Sequence, residues 1–163
     1  MFSHIDSTDF PPKNKPLMVY DGNCGFCKYW VIKWKLMSGE SIDYKPFQKV
    51  ASSFKDIHKK HFAEAVRFID TGGKVYSGPE AAYYTYYKRG KAKFLFKAYK
   101  NHKWFKKLND KLYQWVADNR DFVFRVCIKM LGKNPRNTQH LWIFYLLGIA
   151  AIISLIFLGL ACI

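Results

Sequence analysis

Residues 16–35, PLMVYDGNCGFCKYWVIKWK, decide how the rest of the chain is read. Residues 17–20 form a short apolar run that predicts a buried strand. Asp21, Gly22 and Asn23 break it, since all three favour turns and helix caps. From Gly25 or Phe26 onward, a run of aromatic and aliphatic residues predicts a helix that ends near Ser38 and Gly39. Cys24 and Cys27 therefore fall where a strand turns into a helix.

That placement has chemical consequences. Residues i and i+3 on a helix bring their Cβ atoms within about 5–6 Å, inside the range a disulfide tolerates. At a helix N-terminus, free N–H groups and the macrodipole favour an anion, so the Cys24 pKa should fall. Cys24 reads as the nucleophile. Cys27, one turn further in and more shielded, reads as the resolving thiol. Structural zinc sites also use CxxC, but a strand before the pair and a helix after it favour redox chemistry.

The flanking residues sharpen this. Tyr20, Asp21, Gly22, Asn23, Cys24, Gly25, Phe26 and Cys27, directly after an apolar strand, resemble the signature of the DCC family of thiol-disulfide oxidoreductases. That family is named for an Asp-x-x-Cys-x-x-Cys pattern, matched here by Asp21, Cys24 and Cys27. Residues 68–81, FIDTGGKVYSGPEA, resemble the family's hairpin and Gly-x-x-Ala helix start. Residues 112–120, LYQWVADNR, resemble the helix that closes its domain. The resemblance covers roughly residues 16–127. It implies a thioredoxin-like α/β domain whose cysteine pair is itself the redox centre, with no further cofactor and no metal. Thioredoxin-like enzymes usually place a cis-proline before the third strand to help dock substrate. Residues 61–67 here contain no proline.

The expected element order is β-α-β-α-β-β-α, followed by extra C-terminal helices. Strand two is expected over residues 41–47, parallel to strand one through a right-handed crossover. A polar, helical connection should span 50–62. Thr71, Gly72 and Gly73 signal a hairpin between strands at 65–70 and 74–76. A helix should open at Gly78 and Pro79 and run to Lys88. Further helices are expected over 92–99 and 102–117, the second with Leu108, Leu112, Trp115 and Val116 as a core-facing stripe.

Among 163 residues there is room for one domain and an appendage. Residues 1–15, polar and punctuated by Pro11 and Pro12, read as a disordered or extended lead. The domain should occupy 16–130 and a short basic linker 131–140. Residues 141–163 carry no charge. About 20 such residues span a bilayer as a helix, so this run reads as a single C-terminal transmembrane helix. Residues 1–16 lack the apolar core of a signal peptide. Lys129, Lys133, Arg136 and His140 precede the apolar run and nothing charged follows it, which places the domain on the cytoplasmic side.

The net charge is +15, and residues 88–107 contain nine Lys or Arg and no acid. A solvated helix face accounts for this, and so does attraction to anionic lipid; nucleic-acid binding ranks third. Phe94, Phe96, Tyr99, Trp104 and Phe105 are expected on the buried side of these helices. Cys127 reads as a buried core thiol, and Cys162 lies near the far end of the apolar run.

The leading function is a membrane-anchored protein-disulfide reductase acting on a thiol or disulfide substrate, with Cys24 and Cys27 as its pair. Tyr20, Gly22 and Gly25 should support the loop, the two glycines by letting it turn tightly. Asp21 either caps the helix or accepts the proton that Cys27 releases. The alternatives are a CxxC module for soft Cu or Zn, completed from His58, His61 or His102, and an inactive thioredoxin-like scaffold that binds partners at the membrane.

Overall fold

The computed structural model describes residues 1–137 and, beyond them, Ile143, Leu146 and Leu147. The expected transmembrane helix at 141–163 thus lies outside the described residues, those three apart. Among the described residues no helix is long and apolar enough to cross a membrane.

The apolar run becomes strand β1, Leu17–Tyr20, in the middle of a mixed α/β domain. Strands β2 (Asp43–Pro46), β3 (Arg67–Ile69) and β4 (Val75–Ser77) complete a four-stranded sheet in the order β2-β1-β3-β4. β1 runs parallel to β2 and antiparallel to β3, and β3 pairs antiparallel with β4. Helices α1 (Gly25–Ser38), α2 (Phe47–Val50), α3 (Lys59–Glu64) and α4 (Pro79–Lys88) surround the sheet. Then α5 (Lys93–Asn101), α6 (Lys103–Asp118) and α7 (Arg120–Leu131) follow in sequence. This order is consistent with a thioredoxin-like arrangement.

Successive strand residues point to opposite faces, and both faces are covered, which is why β1 is apolar throughout. Leu17, Val19, Ile69 and Val75 pack with Phe47, Phe54, Ile57 and Phe62 on one side. Met18, Phe68 and Tyr76 pack with Val31 and Trp34 of α1 and Ala81 of α4 on the other. The sheet thereby holds the start of α1 at the end of its central strand.

Several expectations change. β2 stops at Pro46, because Pro46 N-caps α2 and Phe47 turns into the core as that helix begins. The connection at 50–62 is broken rather than one helix: a 3-10 turn follows α2, and His58 N-caps the short α3. Residues 1–15, expected to be disordered or extended, are extended and tied down. Asp6 O accepts Val75 N–H at 2.9 Å and Thr8 N–H reaches Gly73 O at 2.8 Å, so the lead shields the free edge of β4. Phe2 is buried.

The stripe on α6 also turns out differently. Leu108, Leu112 and Trp115 are exposed, as are Phe94 and Trp104. The helix packs instead through its polar-bearing side. Tyr99 donates to buried Asp110 at 2.5 Å, Tyr83 to Asn109 at 2.5 Å, and Val66 N–H to the Tyr113 hydroxyl at 3.0 Å. α6 carries large side chains around most of its circumference, and these hydrogen bonds, buried or half-buried, select which side turns inward.

Candidate active site

Cys24 is the N-cap of α1, with extended backbone (φ −84°, ψ 118°). Its Sγ accepts the Cys27 N–H at 3.1 Å, taking the place that a Ser or Asp oxygen fills in other caps. The thiol and the backbone N–H of Cys27 both donate to this sulfur, and Arg120 adds positive charge. Together they outweigh burial and the opposing Asp21 charge and bring the Cys24 pKa down to about 7. Cys27 shifts the other way. It is the donor to Cys24 and is the more deeply buried, so its proton is held tightly. The surroundings thus favour the thiolate at Cys24 and the neutral thiol at Cys27.

Asp21 does not cap α1, because Cys24 caps it. Asp21 Oδ1 instead accepts Asn23 N–H at 3.0 Å and Gln48 Nε2 at 2.8 Å. Gln48 closes the clamp by accepting Gly22 N–H at 3.0 Å. Asp21 Oδ2 pairs with Arg120 Nη1 at 3.2 Å, and Arg120 also donates to the carbonyls of Ala63 and Glu64 at the end of α3. One guanidinium thus joins the active loop, α3 and the start of α7.

The glycines serve close approach rather than a tight turn. Neither Gly22 nor Gly25 has a positive φ. A Cβ on Gly22 would meet Pro46 at 2.6 Å, and one on Gly25 would meet the Phe124 ring at 2.7 Å. Phe124 belongs to α7, so that helix lies directly on the start of α1.

The two cysteines face different surroundings. Cys24 lines a polar groove of about 560 Å³ between the active loop and the α6–α7 junction, with Asn23, Asp118 and Asn119 among its walls. Cys27 lines a mostly apolar cavity of about 360 Å³, walled by Tyr20, Phe26, Trp30, Trp34, Phe62 and Val116 among others. Asp21 and Arg120 line both. Trp30 and Trp34 of the cavity wall carry buried indole N–H groups with no acceptor among the described residues. Burial in this wall raises the Tyr20 pKa, and it pushes that of Tyr113, at the same cavity, up to about 12.

The model of the DCC1-like thiol-disulfide oxidoreductase family matches residues 18–126. The chain belongs to that family. No curated protein and no solved structure matches it.

Several features of this DCC1-like chain were not assigned from sequence. Arg120 falls in the family's closing motif, yet its ion pair with Asp21, 99 residues away, depends on the docking of α7. Tyr113 falls in the same motif, though its bond to Val66 depends on the fold, and Gln48 gave no signal, being an ordinary polar residue until the fold brings it to the loop. The remaining candidates lie elsewhere. His58 caps α3, His61 bonds Glu64 at 3.3 Å, and His102 precedes α6. Among the described residues no three potential ligands gather into a metal site. Cys127 is half-buried on α7 rather than in the core, because α7 packs on the outside of α1. Burial raises its pKa, so it is a poor nucleophile. Cys162 lies outside the described residues.

Arg120→Gln should raise the Cys24 pKa, since the cation near the thiolate is lost and Asp21 is left unneutralised. Alkylation of Cys24 at pH 7 should slow several-fold. An unchanged rate would mean that Arg120 only braces the fold.

Proposed function

We propose that this chain is a protein-disulfide reductase held at a membrane, with its domain on the cytoplasmic side and residues 141–163 as the tether. The observation that carries the chemistry is the Cys24 Sγ at the N-cap of α1, accepting hydrogen bonds from Cys27. The lowered Cys24 pKa keeps a share of this sulfur as thiolate near neutral pH, the species that attacks a disulfide.

In the first step the Cys24 thiolate attacks one sulfur of the substrate disulfide. A mixed disulfide forms and the other substrate sulfur leaves as a thiolate. Cys27 then loses its proton and attacks the Cys24 sulfur, releasing the second substrate thiol. The Cys24–Cys27 disulfide remains, and two electrons have passed to the substrate. Regeneration needs a dithiol reductant of the cytoplasm.

Holding the substrate falls to side chains. Both backbone groups of Val66, just before β3, are already engaged: its N–H with the Tyr113 hydroxyl and its carbonyl with Gly78 N–H at 2.9 Å. Main-chain pairing at that point is closed to a substrate. The cavity beside Cys27 would receive an apolar side chain next to the substrate cysteine. Its volume of about 360 Å³ exceeds the roughly 150 Å³ of an engineered cavity that binds benzene.

Among the described residues Asp21 is the one carboxylate lining this cavity, which supports a role as acceptor of the Cys27 proton. Asp21→Asn should lengthen the life of the mixed disulfide without slowing the first attack, because removing its charge favours the Cys24 thiolate. Stopped-flow mixing with a polypeptide disulfide separates the steps. A slower first phase with an unaltered second would assign Asp21 to the loop alone. The proposal as a whole is tested by mixing the pre-reduced chain with that polypeptide in the absence of other thiols. One substrate disulfide should be reduced for each Cys24–Cys27 pair; no turnover would reject it.

A further inference from the structure

Helix α6 presents a row of large apolar side chains to solvent. Trp104, Leu108, Leu112 and Trp115 are 67%, 47%, 54% and 53% exposed. Their spacing of i, i+4, i+8 and i+11 puts them on one side of the helix. Single exposed apolar residues are ordinary, whereas a continuous row of four marks an interaction face. Lys103, Lys107 and Lys111, all exposed, are spaced i, i+4 and i+8 and form a second row alongside the first. Phe94 on α5 is 70% exposed, and residues 88–107 contribute nine Lys or Arg without an acid. Of the two acids on α6, Asp110 is buried against Tyr99 and His4, which leaves only Asp118 at the far end exposed.

We propose that this face of α6 lies in the interfacial layer of an anionic bilayer. Its apolar row enters the acyl boundary and its lysine row stays among the headgroups. Three observations choose lipid over a protein partner. Asp118 at the far end apart, the exposed charge of α5 and α6 is all positive, complementary to an anionic leaflet rather than to a mixed protein surface. The row begins and ends in tryptophan, the side chain that settles at the boundary between headgroups and acyl chains. The chain also leads, ten residues after the end of α7 at Leu131, into the uncharged run 141–163. The inference rests on that run tethering the domain. A tethered domain would then lie on the bilayer through α6 instead of swinging free on its linker.

The test uses the full chain in lipid nanodiscs with brominated acyl chains, which quench tryptophan only on contact. Trp142→Phe removes the tryptophan in the tether. Of the four that remain, Trp30 and Trp34 sit at the cavity and Trp104 and Trp115 on the face. In phosphatidylglycerol discs the fluorescence should fall toward about half, recover in high salt as screening weakens the lysine row, and stay unquenched in phosphatidylcholine discs. Replacing Trp104 and Trp115 by Phe should abolish the quenching. Quenching that survives that replacement, or that is equal in both lipids, overturns the proposal. So does disc-bound protein with no quenching, or cross-linking of two copies through α6. A chain that fails to co-elute with discs of either composition overturns the tether and the docking face together.

Discussion

Cys27→Ser is expected to stall the reaction at the mixed disulfide, and Cys24→Ser to stop it before any bond forms. In the first variant the sulfur at the N-cap remains and still receives the residue 27 backbone N–H, so attack proceeds. No second thiol is present to resolve it, and the substrate stays covalently attached. In the second, Cys27 loses the Cys24 sulfur to which it donates, but burial still favours its neutral thiol, and the thiolate is the reacting species. Turnover should fall by on the order of a thousandfold or more in both variants, as it does when a nucleophile is removed. Only Cys27→Ser should yield an adduct on a non-reducing gel. Equal trapping by the two variants would mean that their roles are not distinct.

Arg67→Met is expected to be the most destabilising change away from the cysteines. Arg67 is wholly buried on β3, and desolvation brings its pKa down to about 10. It donates to Ser3 O at 2.6 Å and to His61 O through Nε at 3.1 Å and Nη2 at 2.8 Å. Methionine fills much of the volume but leaves both carbonyls without those donors, at about 1–3 kcal/mol each. The loss of roughly 2–6 kcal/mol should also free the N-terminal lead from β3. Urea unfolding measures the total, and faster amide exchange near Ser3 and Val75 would show the lead detaching. A change under about 1 kcal/mol would mean that water replaces the lost donors.

The sequence made much of this site legible, and the reason lies in local chemistry. The strand at 17–20, the break at Asp21 to Asn23, the Thr71-Gly72-Gly73 hairpin and the helix opening at Pro79 are each specified by adjacent residues. The cysteine pair could be placed because it sits between two such elements. What escaped depends on contacts distant in sequence. Arg120 reaches Asp21 only when α7 docks on α1, and Gly25 needs its bare Cα because Phe124 arrives there. The lead orders because β4 would otherwise keep a free edge. For α6, apolar periodicity could not choose between two apolar sides. Hydrogen-bond partners for Tyr113, Asn109 and Asp110 made that choice, and left Leu108 and Leu112 in solvent.

The rate of iodoacetamide alkylation against pH, read residue by residue by mass spectrometry on the reduced chain, bears most directly on Cys24 as the nucleophile. Cys24 should react first, with a midpoint near pH 7 and a plateau above it, while Cys27 stays unreactive across the same range. A Cys24 midpoint near the free-thiol value of about 8.5, or labelling of Cys27 ahead of Cys24, would contradict that assignment.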